Sequence, residues 1–199
     1  TTLAFMGSAM PSFFFGLLFI LLFSILPKGA GLPYIPAGLS ESVRDYAIPW
    51  IGQVVAGSAK DRTLHLILPV AVLTILNIAG WSRFIRASML DVLNKDYIIT
   101  ARAKGLPERM VILKHALRNA LIPVVTFVGL QMAYLLGGAT IVETMFARQG
   151  IGRLAVQSIF NRDYPMVQGV VLVTATIYVL INTLTDITYV LLNPKIRLK

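Results

Sequence analysis

Few residues of this chain are of a type that does chemistry, and their spacing limits what they can do together. There is no cysteine among the 199 residues, so no disulfide, thiolate nucleophile or sulfur ligand can form. The two histidines, His65 and His115, are far apart in sequence, and no His-rich cluster surrounds either. That argues against a metal site. No Ser/His/Asp or Cys/His arrangement emerges, nor a pair of carboxylates on one helix face, and the chain is expected to catalyse nothing. Gly150-Ile151-Gly152 has glycines like those of a phosphate loop, but no Gly-Lys-Ser/Thr follows and no strand precedes it. ATP hydrolysis, if coupled to this chain, must then be done by a partner. Asp186 lies within a long apolar run, where an ionisable group is a functional candidate by default. It stands one to two turns from the end of that run, with water and Arg or Lys within reach, which favours a structural or interfacial role. Asn77, Thr126, Gln131, Asn182 and Thr183 either line a polar path or bridge helices, the commoner use.

The remaining candidate chemistry is recognition, concentrated in the stretch from Asp96 to Pro123, DYIITARAKGLPERMVILKHALRNALIP, with Arg102, Lys104, Arg109, Lys114 and Arg118. Its first part reads as a short helix with Asp96 as N-cap, ending near Lys104. Gly105 sits where a C′ residue belongs and Pro107 just beyond. A second helix can start at Pro107, a residue tolerated in a first turn, and Met110, Leu113, Leu117 and Leu121 follow at three- and four-residue spacing. The pattern is helix, glycine bend, helix.

The elements that must position this stretch are membrane spans. With 56% hydrophobic and 14% charged residues and a mean hydropathy of +0.75, the chain falls outside the soluble range. A span needs about 20 apolar residues, and four runs qualify, over about 4–26, 64–85, 120–142 and 166–192. Pro11 and Pro69 are points where the first and second can bend. Gly129, Gly137 and Gly138 favour close packing of the third, and Asn193-Pro194 ends the fourth. Between them lie residues 27–63, 86–119 and 143–165. Tyr46 to Val55 is apolar but too short to cross, and with Trp50 it suits a membrane interface. The net charge of +9 would suggest nucleic acid on a soluble domain; its placement between apolar runs indicates membrane sidedness instead. Residues 83–118 hold eight of the eighteen Lys and Arg, and the tail holds Lys195, Arg197 and Lys199. Segment 86–119, the C-terminus and Thr1 are therefore assigned to the cytoplasm, and 27–63 and 143–165 to the outside. No Met starts the chain and no signal peptide is visible, which reads as part of a longer polypeptide.

Asp96-Tyr97, then Thr100-Ala101-Arg102-Ala103-Lys104-Gly105-Leu106, then His115 to Pro123 resembles the cytoplasmic coupling loop, the "EAA" motif, of permease subunits in binding-protein-dependent ABC importers. The match is to the peptide and nickel branch. Ile99 and Thr100 stand where Glu-Ala is usual in the wider group, and the interval from Gly105 to Pro123 is long; both fit that branch. Glu143, Thr144, Phe146, Gly150, Gly152, Arg153, Leu154, Arg162, Asp163, Tyr164 and Pro165 give a second resemblance to the same permeases, with Gln149 where a proline is common. The resemblance covers nearly the whole chain and favours the dipeptide and oligopeptide "B" type.

The resemblance implies an all-α integral membrane protein, a helical transmembrane bundle of ABC-importer type. Four spans are visible where such permeases have about six, and the missing portion would be N-terminal. It implies a bacterial inner-membrane location. The implied partners are separate ATPase subunits, which would bind the ATP and Mg, a second homologous permease, an external substrate-binding protein and the lipid bilayer; nucleic acid is not among them. Asp96, Tyr97, Thr100, Ala101, Arg102, Ala103, Lys104, Gly105 and Leu106 would dock on the ATPase, with the small Ala101, Ala103 and Gly105 allowing close approach. ATP binding would close the ATPases, tilt the spans and open the path outward for peptides, or alternatively for nickel, glutathione or another small solute. Two further readings come from other classes. A non-transporting adaptor would bind anionic lipid through its basic loop by charge alone, about 1 kcal/mol per basic residue. An ion channel would need a pore loop or charged ring, and neither is seen.

Overall fold

The computed structural model of the chain describes residues 11–192. The predicted features at residues 4–10, at Thr1, at Asn193-Pro194 and at Lys195, Arg197 and Lys199 lie outside the described residues. Among the described residues the fold is all-α apart from one small hairpin. Helix α1, Ser12–Gly29, passes through a π-helical turn at Leu21–Ile25. Strands β1, Tyr46–Ile48, and β2, Gly52–Val54, pair antiparallel with Ala47 opposite Gln53. Helix α2, Ala59–Leu93, runs unbroken through Pro69. Helix α3, Asp96–Ala103, is followed by α4, Glu108–Met110, which continues through a π-helical turn at Val111–Ala116 into α5, Leu117–Leu136. Then come α6, Thr140–Met145, α7, Ile151–Phe160, and α8, Tyr164–Leu192.

Four helical stretches, Ser12–Gly29, Ala59–Leu93, Glu108–Met145 and Tyr164–Tyr189, are long and apolar enough to cross a membrane. Their surfaces follow from that solvent. Phe13, Leu17, Leu21, Val171, Leu172 and Val179 are all exposed, a wasteful arrangement in water but the expected one where lipid replaces it and backbone bonds are satisfied within each helix.

The described residues divide into two compact units. The first comprises residues 11–79 with Gly138–Leu172. Its core joins Leu68 and Val72 of α2 to Val142 and Phe146, with Phe15 and Phe19 of α1 packed against them. Gly16 lets α1 approach closely, because a Cβ there would fall 1.7 Å from the Met145 methyl carbon. The hairpin buries Ile48 and Val54 completely and leaves Trp50, in its turn, 89% exposed. The stretch that the sequence presents as a short apolar segment thus has one inward face and a tip that projects. The second unit comprises Gly80–Gly137 with residues 173–192. Here Gly129 meets Thr185, and a Cβ on the glycine would lie 2.0 Å from the Thr185 hydroxyl.

Three sequence expectations need correction. Pro11 is not inside the described helix but caps it, with extended backbone at φ −60°, ψ 143°. The third apolar run is interrupted: α5 ends at Leu136, and Gly138 takes φ +112° before α6 begins. Gly137 and Gly138 therefore break a helix, and Gly138 also lets the backbone of Gly152 in α7 approach, since a Cβ on Gly138 would lie 2.6 Å from the Gly152 nitrogen. Of the regularly spaced Met110, Leu113, Leu117 and Leu121, Leu117 is half-buried and the others are exposed, while Val111, Ala116, Ala120 and Val124 form the buried face. Periodicity locates an apolar face, but in lipid the bulkier face turns outward and small residues serve the helix contacts. Finally, Lys95 is the N-cap of α3 and Asp96 its first helical residue, where a carboxylate still complements the helix N-terminus without accepting a capping bond.

Candidate functional site

The charged stretch forms a helical hairpin. Glycine makes the bend: Gly105 has φ +75°, a conformation that a Cβ disfavours. The Gly105 amide donates to the Arg102 carbonyl at 2.9 Å and the Leu106 amide to the Ala101 carbonyl at 3.4 Å. This is the paired-bond termination that a left-handed C′ residue permits, and it satisfies carbonyls the helix would otherwise leave open. Pro107 then starts the next helix as its N-cap. The Arg102 guanidinium closes the outside of the bend, donating to both carboxylate oxygens of Glu108 at 3.1 and 2.7 Å.

Inside the hairpin, Ile98, Ala101, Val111 and Ala116 are buried against one another, and Leu106, Met89, Val92 and Leu93 pack around them. Ala101 is therefore enclosed by its own chain rather than open at the surface. Of the predicted contact residues, Asp96, Tyr97, Thr100, Arg102, Ala103, Lys104 and Gly105 are exposed, Leu106 is half-buried and Ala101 is buried. Gly105 has no atom within 4 Å of where a Cβ would stand. Ile99, noted in the sequence only as a departure from the wider motif, is 56% exposed and Tyr97 44%. Two residues apart on α3, they lie on opposite flanks of the buried Ile98, and each leaves a large apolar side chain open to a partner. Ser88 was missed entirely. Its buried hydroxyl donates to the Ala120 carbonyl at 2.7 Å and ties α2 to α5.

The polar residues of the spans behave differently from the sequence reading. Asn77 and Thr183 donate to carbonyls one turn back in their own helices, Leu73 and Val179, so neither bridges helices through these bonds. Asp186 and Thr126 share a cavity of about 440 Å³ with Pro123, Phe127 and Tyr189, open enough that Asp186 is classed as exposed.

The first unit holds a polar centre that no motif announced. The Asp61 carboxylate is fully buried. It accepts from the Ser42 amide at 2.7 Å, the Gly57 amide at 3.0 Å, the Ser42 hydroxyl at 3.0 Å and the Tyr46 phenol at 2.9 Å. Burial, reinforced by the Asp61 bond and charge, pushes the Tyr46 phenol up to about 12. His65, one turn on, lies with Nε2 3.0 Å from the Ser42 hydroxyl and Nδ1 2.7 Å from the Gly38 carbonyl. Ser42, His65 and Asp61 thus meet in space although the sequence separates them. They are wired unlike a nucleophilic triad: the carboxylate sits on the hydroxyl, and Nδ1 is spent on a backbone carbonyl. The arrangement anchors the segment before α2 to that helix. The only sequence signal was the four-residue step from Asp61 to His65.

A third arrangement explains the glycines near 150. Glu143 accepts from the Ala139 amide at 3.1 Å and the Arg153 amide at 2.9 Å, and a Cβ on Gly150 would overlap its carboxylate at 2.4 Å. What resembled a phosphate loop cradles the chain's own carboxylate at the N-terminus of α7.

Comparison with known proteins places these features in context. The family model described as "Binding-protein-dependent transport system inner membrane component" matches residues 1–198. The oligopeptide transport system permease protein of Bacillus subtilis (strain 168) is 41% identical over 197 residues, which cover 99% of this chain and 58% of that protein. The dipeptide transport system permease protein of Escherichia coli (strain K12) is 43% identical over 206 residues, 99% of this chain and 60% of that protein. The glutathione transport system permease protein of Pectobacterium atrosepticum is 43% identical over 198 residues, 100% of this chain and 56% of that protein. The chain therefore spans less than two thirds of the length of these relatives.

Proposed function

This chain belongs to the family of inner membrane components of binding-protein-dependent transport systems, and from that premise we propose that it is part of the permease of an ATP-driven importer for peptides in a bacterial inner membrane. Its partners are separate ATPase subunits, a second permease and an external binding protein. The names of the relatives, oligopeptide, dipeptide and glutathione permeases, support small peptides as the solute class, with glutathione as the alternative within it. The chain supplies the path and the coupling, and its ATPase partners supply hydrolysis with ATP and Mg.

The observation that carries the coupling role is the hairpin's construction. Its outer surface offers Tyr97, Ile99, Ala103 and Lys104 to a partner, while its inner surface is packed on Met89, Val92 and Leu93 at the end of α2. A push on the outer face has no soft layer in which to dissipate, since Ile98, Ala101, Val111 and Ala116 fill the inside. Displacement passes to α2 directly and to α5 through the continuous helix after Glu108 and the Ser88–Ala120 bond. On this reading the hairpin, the C-terminus and Thr1 face the cytoplasm, and the Asp61 centre faces outward.

The test is reconstitution with the ATPases, second permease and binding protein, followed by ATP-driven uptake of a labelled dipeptide. Ile99→Asp places an unpaired charge in the contact face without touching the hairpin core, and uptake should fall at least tenfold while insertion is unchanged. Normal uptake by Ile99→Asp would remove the hairpin's coupling role, and ATP-independent uptake by the unaltered assembly would overturn the importer reading.

A further inference from the structure

We propose that the cavity of about 650 Å³ between Glu41, Arg62, Arg148, Gln149 and Arg153 is a carboxylate-binding site. Its walls hold three guanidinium groups and one carboxylate. That carboxylate is already engaged, because Arg62 Nε donates to Glu41 Oε2 at 2.8 Å. The other two cations meet only main-chain oxygens: Arg148 Nη1 donates to the His65 carbonyl at 3.5 Å, and Arg153 Nη1 to the Ala147 carbonyl. Among the described residues neither is paired with an acid. The nearby Glu143 directs its oxygens to the Ala139 and Arg153 amides and forms no ion pair with either guanidinium.

Arg148 and Arg153 are both half-buried, so each has given up hydration without gaining a counter-ion, a situation that favours an anion in the cavity. A guanidinium offers five N–H donors in a planar fork matched to a carboxylate, and one weak main-chain bond leaves most of them open. The site is also built in advance. The Arg148 amide donates to the Glu143 carbonyl at 2.8 Å and the Arg153 amide to its carboxylate at 2.9 Å, so one residue fixes both backbones before a ligand arrives. Pre-organisation of this kind lowers the ordering cost of binding.

Two carboxylates could occupy it: the C-terminus of a peptide in transit, or an acidic side chain of the docked binding protein. Both sources rest on the importer reading; the site itself rests on the guanidiniums alone. The experiment measures equilibrium binding of N-acetyl-Ala-Ala and of its C-terminal amide to the protein in lipid nanodiscs, without any ATPase. In parallel, capture of the binding protein is measured. If the solute supplies the carboxylate, the acid binds roughly tenfold more tightly than the amide, as expected for one or two charge-assisted bonds. Arg148→Gln and Arg153→Gln each then remove the preference, whereas Glu41→Gln, which frees Arg62, strengthens acid binding, a gain that a misfolded variant could not give. If the binding protein supplies it, acid and amide bind alike, while binding-protein capture falls in both arginine variants and rises in Glu41→Gln. Equal binding of acid and amide by the unaltered protein, together with capture indifferent to all three substitutions, overturns the site. Acid preference without ATP-driven uptake would instead sink the importer reading and leave the site standing.

Discussion

Replacing Gly105 separates two explanations for a glycine at the bend of the hairpin proposed to couple to an ATPase. If it is there to let a partner's backbone approach, larger side chains should be progressively worse. If it is there for its backbone conformation, tolerance should follow ease at positive φ instead. The structure favours the second: φ is +75° and nothing lies within 4 Å of the Cβ position. Gly105→Ala should cost about 1–2 kcal/mol, the penalty of the left-handed region for an L-residue. Gly105→Asn should cost less, because its short polar side chain bonds locally there. One to two kcal/mol is a roughly 5- to 30-fold change in an equilibrium, enough to raise the open population of the bend while the spans stay inserted. Amide hydrogen exchange at Leu106, whose N–H donates to the Ala101 carbonyl, reads that opening directly, and ATPase co-purification reads docking. The expected order is glycine, then asparagine, then alanine in both assays. Faster exchange in Gly105→Asn than in Gly105→Ala would refute the backbone explanation. Normal exchange with lost docking in Gly105→Asn would restore close approach as the reason for the glycine.

Other outcomes follow from single contacts. Gly129→Ala should destabilise by about 1–3 kcal/mol through overpacking, because the new Cβ would lie 2.7 Å from the Thr185 Cβ and no rotation of the threonine relieves that; a thermal-unfolding midpoint should fall, and Thr185→Gly in the same chain should recover part of it. Asp61→Asn keeps the shape of the buried centre but offers one acceptor oxygen to the amides of Ser42 and Gly57 and the hydroxyls of Ser42 and Tyr46. It should cost about 3 kcal/mol and deprotect the Ser42 and Gly57 amides in hydrogen exchange, whereas an unchanged midpoint would mean the centre is not holding this segment to α2.

The spans and the bend were legible because each rests on a local rule: an apolar run long enough for a bilayer, and a glycine followed by a proline. What sequence could not display was which apolar face turns inward. The spacing of Met110, Leu113, Leu117 and Leu121 marks a helix without saying which face is inside, and it is Val111, Ala116 and Ala120 that are buried, since lipid removes the penalty on exposed bulk. Ala101, expected on the docking surface for its small size, is buried with Ile98 and Val111 inside the hairpin, a placement that spacing does not display. The Asp61 centre depends on bonds reaching 15 to 19 residues away, to Tyr46 and Ser42, and no periodicity encodes those. Glu143 and Gly150 stood out as a pattern, but only the fold shows that the glycine makes room for the carboxylate.

The most direct test of the coupling role is proximity. Single cysteines, placed in a chain that has none, at Ile99 on the exposed surface and at Val111 in the hairpin interior, are paired with cysteines over the surface of the proposed ATPase partner, and disulfide cross-linking is followed in membranes with and without ATP. The coupling account predicts that position 99 joins the ATPase in a nucleotide-sensitive manner while position 111 does not. A position 99 that stays unlinked to every ATPase position, in an assembly that still imports peptide, would contradict it.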